Sequence, residues 1–126
     1  FGFLTLNSLA ASDTVIIPVQ CEYFAMAAIS QMLATISRIQ SSLNSSLSIE
    51  GFLLTMYDSK TNLDTEITIQ VRSLFKENTF LTQIPRNISI PESNQRGEPV
   101  INYRPTSSGA LAYLSLAKEI IDHEQN

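Results

Sequence analysis

The chain has 126 residues, of which 44% are hydrophobic and 16% are charged, and its formal net charge is -4 with a sequence pI near 4.8. This composition is typical of a folded globular protein and excludes an intrinsically disordered chain, and the length suits one domain, 1–126. The acidic balance excludes a broad basic surface for a polyanion. The single cysteine, Cys21, excludes an internal disulfide and a multi-cysteine zinc site, which favours a cytoplasmic protein.

The first predicted element is a buried strand, because Thr14–Gln20 reads TVIIPVQ and most of these residues are β-branched. Before it, FGFLTLNSLAAS has neither the basic leader nor the cleavage pattern of a signal peptide, and we expect it to belong to the interior of a longer protein. No apolar run approaches the ~20 residues that span a bilayer. An integral membrane protein is therefore not expected.

A long amphipathic helix is predicted after the first strand, within EYFAMAAISQMLATISRIQSSLN. Its apolar residues recur at helical spacing: Phe24, Ala28, Met32, Ile36 and Ile39. The second predicted strand is IEGFLLTMY, and the helix that follows it is expected to be capped by Thr61 or Asn62. Apolar residues mark this helix at Leu63, Ile67, Val71, Leu74 and Phe75.

The third predicted strand is TFLTQIP, which ends at Pro85. Beyond Arg86 the chain is expected to be irregular, because it contains Pro91, Gly97, Pro99 and Pro105. A final helix is predicted over SSGALAYLSLAKEIIDHE, with Ser107 or Ser108 as its cap. Strands that alternate with helices over short connections predict an α/β fold, in which a parallel β-sheet is flanked by helices.

Polar residues stand at the end of each predicted strand, in PVQCE, TMYDSKTN and IPRN. Open parallel sheets bind their ligands just beyond the carboxyl ends of the strands. If the three strands are neighbours, these polar residues converge on one crevice, so the sequence predicts a ligand site there.

Five segments are spread over nearly the whole chain: LTLNSLAASDTVIIPVQCEYFA, IEGFLLTMYDSKTNL, IPRN, GEPVINY and GALAYLSLAKEI. Together they resemble the C-terminal half of the ParA/Soj-type partitioning ATPases, a branch of the deviant Walker-A, MinD/ParA superfamily. The resemblance implies the C-terminal portion of a P-loop NTPase-like (SIMIBI-type) fold. It also implies that the parent protein is an ATPase with ATP and Mg²⁺ as cofactors, acting in chromosome or plasmid segregation.

The phosphate-binding loop of that family has no counterpart in the 126 residues, since no G-x-x-x-x-G-K-[ST] occurs. Phosphate and Mg²⁺ chemistry needs the backbone N–H groups and the lysine of that loop. We therefore expect this stretch to lack the N-terminal half of the family, to contribute no catalytic and no metal-binding residue, to hold no cofactor tightly and, on its own, not to hydrolyse ATP.

The base-recognising side of the nucleotide site is what the resemblance places in this chain. It implies that Thr55 and Met56, at the end of the second strand, and Pro85, Arg86 and Asn87, after the third, flank the adenine. A side-chain amide suits this task, because the edge of adenine offers both a donor and acceptors.

Nonspecific DNA contacts in the family come from basic residues on two loops, and this sequence has Lys60 and Ser89 at those places. Lys60 is the expected DNA-binding residue, because its ammonium group keeps the charge that contacts phosphate. Serine carries no charge, so weak DNA binding is expected, with Arg86 and Arg96 as candidates to compensate.

A ParB/Spo0J-like partner and a nucleoid-associated, cytoplasmic location are also implied by the resemblance. Two alternatives remain open: a noncatalytic interaction or regulatory module, and a MinD-like membrane-associated ATPase switch. The membrane switch needs a C-terminal amphipathic helix with a basic face. The chain ends instead in the acidic KEIIDHEQN, so no stable membrane association is expected.

Self-association is predicted for this stretch, because without the preceding half of the family an unpaired strand edge and apolar helix surface would be exposed. The alternative is a monomer whose final helix folds back over the exposed face. That helix would then bury Leu111, Leu114, Ile120 and Ile121.

Overall fold

The computed structural model describes residues 2–22 and 24–125. Two parallel strands, β1 (Thr14–Gln20) and β2 (Ser48–Thr55), are joined through α2 (Ala25–Ser42). Thr14 pairs with Ser48 and Gln20 pairs with Thr55, and a register shift after Val15 leaves one extra residue on β2. Helix α1 (Phe3–Ala11), for which the sequence offered no prediction, precedes β1. The predicted α/β class, with a parallel sheet flanked by helices, is confirmed.

The predicted helix after β1 is confirmed as α2, which buries Ile29, Ile36 and Ile39 against the sheet. Phe24 does not belong to this buried stripe, since it stands at the N-cap of α2 and is 74% exposed. Helix α3 (Asn62–Phe75) is capped by Thr61, whose hydroxyl oxygen accepts a hydrogen bond from the backbone N–H of Asp64. A 3₁₀ turn, Lys76–Asn78, follows α3.

The prediction of a continuous third strand over TFLTQIP is wrong. This segment runs parallel to β2 but bonds to it only near its ends, where Phe80 N–H donates to Phe52 O at 3.0 Å and Ile84 N–H donates to Leu54 O at 2.9 Å. The segment advances four residues while β2 advances two, so its middle bulges away from the sheet. We call residues 81–83 the bulge.

The stretch beyond Arg86 is not irregular, as the sequence predicted, but contains two short helices, α4 (Ser89–Gln95) and α5 (Val100–Tyr103). Pro91 is tolerated because it lies in the first turn of α4, where its missing N–H has no helical partner to lose. Gly97 adopts the left-handed φ of 66° that the turn between the two helices requires. Helix α6 (Ser108–Glu124) follows, and Ser107 is its cap.

Two apolar clusters cover the two faces of β2. Phe52 and Leu54 belong to a larger cluster with α1, β1, α2 and α3, whereas Leu53 packs with Phe80, Ile84 and Leu116. Successive residues of a strand point to opposite faces, so a strand buried on both faces is a continuous apolar run, as FLL is.

Helix α6 contributes to the second cluster through Leu116 and, partly buried, Ile120. Leu111, Leu114 and Ile121 remain at least half exposed. The alternative in which α6 folds back to bury all four predicted residues is therefore wrong for three of them.

Candidate nucleotide-binding site

The carboxyl ends of β1, β2 and the third segment open on one cleft of about 530 Å³. Its lining residues come from all three strand ends and from α4 and α6: Gln20, Thr55, Met56, Ile84, Pro85, Arg86, Asn87, Ile88, Ile90, Pro91 and Tyr113. The volume is in the range of small-molecule sites, and the walls are mainly apolar with a few polar groups, as such sites require. Five residues that the sequence predicted for a nucleotide site, Thr55, Met56, Pro85, Arg86 and Asn87, are thus brought together.

Met56 is the residue at which β2 turns into the cleft. It is the one non-glycine among the described residues with a left-handed backbone, at φ 53°. The turn lets Tyr57 N–H donate to Ile84 O at 3.1 Å, and Arg86 N–H donates back to Tyr57 O at 2.9 Å. A non-glycine side chain in this conformation costs energy and persists because the surrounding hydrogen bonds hold it. The partly exposed Met56 side chain consequently forms a wall of the cleft.

Asn87 is held in place by both ends of its side-chain amide. Its Nδ2 donates to the Ser108 hydroxyl at 2.9 Å, and its Oδ1 accepts from Ser89 N–H at 3.2 Å. An amide has two donors and two acceptor positions, so one of each remains for a ligand. Asn87 is therefore a fixed donor and acceptor pair beside apolar walls.

Lys60 lies outside the cleft, on a turn between β2 and α3. The Asp58 carboxylate accepts from Lys60 N–H at 3.0 Å, and the Thr61 hydroxyl donates to Asp58 O at 3.2 Å. The buried Asp64 carboxylate accepts from Asp58 N–H at 2.7 Å. These bonds fix the backbone of the turn and leave the Lys60 side chain exposed.

Ser89, at the second loop position that the resemblance assigned to DNA contacts, is the first residue of α4 and is only 5% exposed. Its N–H is bonded to Asn87, so it supports the cleft. A buried hydroxyl in this place offers nothing to a nucleic acid at the surface.

Cys21 follows β1 directly and is 5% exposed. Burial is the largest effect on its thiol and raises its pKa above 9.0, the nearby Asp64 charge raises it further, and the Thr68 hydroxyl opposes both. A thiol with a raised pKa is a poor nucleophile. Cys21 is therefore a small buried residue of the core rather than a reactive thiol.

The sequence missed the cleft residues that belong to helices, above all Tyr113 on α6. Ile88, Ile90 and Pro91 lie in the stretch predicted to be irregular, so no helical face was assigned to them. Gln20 could be expected in the cleft, because it lies at the end of the first predicted strand. Nothing in a single sequence indicates that α6 packs beside the third segment.

No three His, Cys, Asp or Glu side chains gather to hold a metal ion within residues 2–22 and 24–125. The described helices include none that is both long and apolar enough to cross a membrane.

Comparison with known proteins finds that the chain is similar to chromosome-partitioning proteins. A family model described as an AAA domain matches residues 1–49. The sporulation initiation inhibitor protein Soj of Bacillus subtilis (strain 168) is 49% identical over 119 residues, covering 94% of this chain and 47% of that protein. The chromosome-partitioning ATPase Soj of Treponema pallidum is 46% identical over 95% of this chain and 47% of its own length. The chromosome partitioning protein ParA of Myxococcus xanthus is 42% identical over 98% of this chain and 44% of its own length.

Solved structures show the same fold. A cobyrinic acid a,c-diamide synthase from Mycobacterium smegmatis with bound ADP and magnesium superposes with a TM-score of 0.76 at 32% identity, over 99% of this chain and 44% of that protein. The predicted P-loop NTPase-like fold agrees with this neighbour. The chain spans about half the length of the curated relatives that it matches. The chain is homologous to Soj and ParA chromosome-partitioning proteins over about half of their length.

Proposed function

We propose that this chain forms the base-binding side of the nucleotide site in an ATP-dependent partitioning protein that acts in chromosome or plasmid segregation. The observation that carries the proposal is the cleft at the strand ends, in which Asn87 presents a fixed donor and acceptor beside apolar walls. The related synthase structure with bound ADP and magnesium supports it, as do the chromosome-partitioning roles of the Soj and ParA relatives.

The flat adenine ring fits this cleft by shape and by polarity. Met56 and Pro85 supply apolar surface for the faces of the ring, Asn87 matches the alternating donor and acceptor on its edge, and Thr55 adds a hydroxyl. Arg86 lines the same cleft between Pro85 and Asn87 and so flanks the base in this proposal.

Phosphate binding and hydrolysis are assigned to a part of the protein outside these 126 residues. The printed sequence contains no phosphate-loop motif, and a bound Mg²⁺ would supply its charge next to the phosphates, away from the adenine side. The whole protein is then a switch that associates with nonspecific DNA through Lys60 and responds to a ParB/Spo0J-like partner, and it is placed in the cytoplasm, on the nucleoid.

The test measures nucleotide binding and turnover in the full-length protein that contains this stretch. Asn87→Ala is expected to weaken binding of a fluorescent ATP analogue by about tenfold, which corresponds to ~1.4 kcal/mol, because the oriented amide partner of the base is lost. Asn94→Ala, on the exposed part of α4, is the matched control and should leave binding unchanged.

Equal affinities of the Asn87→Ala variant and the wild type would contradict the assignment of the base site. Nucleotide binding without any turnover would instead favour the noncatalytic module. The 126-residue stretch expressed alone is expected to show no turnover above a blank without protein.

A further inference from the structure

Two arginines, Arg96 and Arg104, stand over the ring of the same tyrosine. The guanidinium carbon of Arg96 is 5.3 Å from the centroid of the Tyr103 ring, and that of Arg104 is 5.1 Å from it. Two like charges repel each other, so their convergence needs a group that attracts both, and the electron-rich face of a tyrosine ring does so. We call Arg96, Tyr103 and Arg104 the arginine pair site.

The backbone holds both arginines in fixed places. Arg96 is the C-cap of α4, and its N–H donates to Glu92 O and Ser93 O, at 3.3 and 3.1 Å. Arg104 follows α5, and its carbonyl oxygen accepts hydrogen bonds from both the N–H and the hydroxyl of Ser107, the cap of α6. Only the side chains have freedom to move, so the entropic cost of binding a ligand is confined to them.

Each guanidinium carries five N–H donors along its planar edge, in the geometry that binds two phosphate oxygens at once. A side-chain hydrogen bond with Tyr103 engages part of the Arg104 edge. Both arginines are exposed, and Tyr103 is partly exposed. Arg104 also forms an ion pair with Glu92, and the distance from Arg104 Nε to Glu92 Oε1 is long, at 3.9 Å. Because this pair is at the surface, it is weak and phosphate can compete with it.

The family position expected to carry a DNA-binding charge is occupied here by a buried serine, Ser89. The arginine pair site lies at the other end of the same short helix, since Ser89 begins α4 and Arg96 follows its last residue. We propose that Arg96 and Arg104 form a phosphate-backbone contact for duplex DNA that replaces the charge missing at Ser89. This inference rests on the proposed function, because that function supplies the DNA partner.

The experiment titrates a labelled duplex of arbitrary sequence with the full-length protein and ATP, over a series of salt concentrations. The double variant Arg96→Ala/Arg104→Ala is expected to raise the Kd by about tenfold or more at moderate salt. It should also lower the slope of log affinity against log salt by about 2, because each phosphate contact contributes ~0.9. The charge-keeping variant Arg96→Lys/Arg104→Lys should retain most of the salt slope and lose part of the affinity.

A matched control removes the same charge elsewhere, in Arg38→Ala/Lys76→Ala, since both side chains are exposed on other elements. If this control raises the Kd less than Arg96→Ala/Arg104→Ala does, the proposal is supported. If both raise the Kd equally, the effect comes from the loss of charge in general, and the proposal is overturned. Unchanged DNA binding in the double variant also overturns it. ATP turnover is measured on the same samples. If the double variant shows normal turnover and unchanged DNA binding, the arginine pair site is refuted and the proposed function stands. If the wild type shows neither turnover nor DNA binding, both proposals are overturned.

Discussion

Glu119 on α6 holds the bulge at Leu81. Its Oε2 accepts a hydrogen bond from Leu81 N–H at 2.7 Å, and its Oε1 accepts one from Thr82 N–H at 3.0 Å. On the other side, the Arg72 guanidinium of α3 donates to Leu81 O at 3.2 Å. A carboxylate thus takes the place of a neighbouring strand for two N–H groups that the bulge removes from the sheet.

Removing this carboxylate should destabilise the protein. Glu119→Ala is expected to lower the free energy of unfolding by about 1–2 kcal/mol, less than two fully buried charged hydrogen bonds would give, because solvent screens the partly exposed carboxylate. Equilibrium urea denaturation measures the loss. Glu124→Ala, an exposed carboxylate on the same helix, is the control and should change stability little. Equal stability of both variants would mean that the hydrogen bonds of Glu119 to the bulge contribute nothing to stability.

The contribution of Glu119 should depend on pH. Burial raises the pKa of its carboxyl, but the hydrogen bonds from Thr82 and Leu81 and the charge of His123 outweigh burial and lower the pKa below its ordinary 4.5. Because the folded-state pKa is the lower one, the stabilisation is complete above 4.5 and is lost as the pH falls through the folded-state value. The stability gap between wild type and Glu119→Gln should therefore close in acid. A gap that is constant from neutral pH downward would contradict this.

Gly51 allows Phe80 to pack across β2. A Cβ at Gly51 would lie 2.7 Å from Phe80 Cε2, and Phe80 is only 1% exposed, so the ring has no space to retreat. Gly51→Ala is expected to cost about 1–3 kcal/mol through overpacking. Gly2→Ala is the control, because nothing lies within 4 Å of its added Cβ. If Gly51→Ala shifts the thermal midpoint no more than Gly2→Ala does, the Phe80 ring moves aside and the prediction is wrong. If the shift is larger, adding Phe80→Leu to Gly51→Ala should restore part of the lost stability.

The Asn87 amide depends on Ser108 for its orientation. Ser108→Ala removes the acceptor of the Nδ2–H group without removing the cap of α6, which is Ser107. We expect the affinity for the fluorescent ATP analogue to fall by several-fold, roughly 1 kcal/mol for one hydrogen bond, with little loss of stability. Ser115→Ala, an exposed serine on the same helix, should leave the affinity as it is. Full affinity in Ser108→Ala would mean that the orientation of Asn87 does not control binding.

The outer edge of β1 should mediate self-association of the 126-residue stretch. Within the described residues β1 pairs with β2 alone, and Ile16 on it is 36% exposed. Unpaired strand edges with apolar side chains recruit further strands, and a charge on the edge prevents this. Ile16→Lys is thus expected to shift sedimentation toward monomer, whereas Ile69→Lys, on the exposed face of α3, should not. A wild-type monomer at every concentration of a dilution series would refute the association.

Local patterns in the sequence were sufficient for the class of fold and for much of the site. The β-branched run TVIIPVQ and the apolar FLL are strands for reasons that lie within a few residues, and Thr61 and Ser107 cap the helices that follow them. Parallel strands end at the same edge of a sheet, which predicted a crevice at the strand ends, and the resemblance to the ParA/Soj family assigned Thr55 and Asn87 to it.

Long-range contacts decided the rest. The bulge replaced the middle of a predicted strand because Glu119, 38 residues away from Leu81, bonds the freed N–H groups. Tyr113 lines the cleft because α6 packs beside it. Arg96 and Arg104 both lie over the Tyr103 ring because Gly97 reverses the chain between two helices that the sequence did not predict. The periodicity of apolar residues shows which face of a helix or strand is buried. Which other element covers that face depends on tertiary packing, and a local sequence pattern does not predict it.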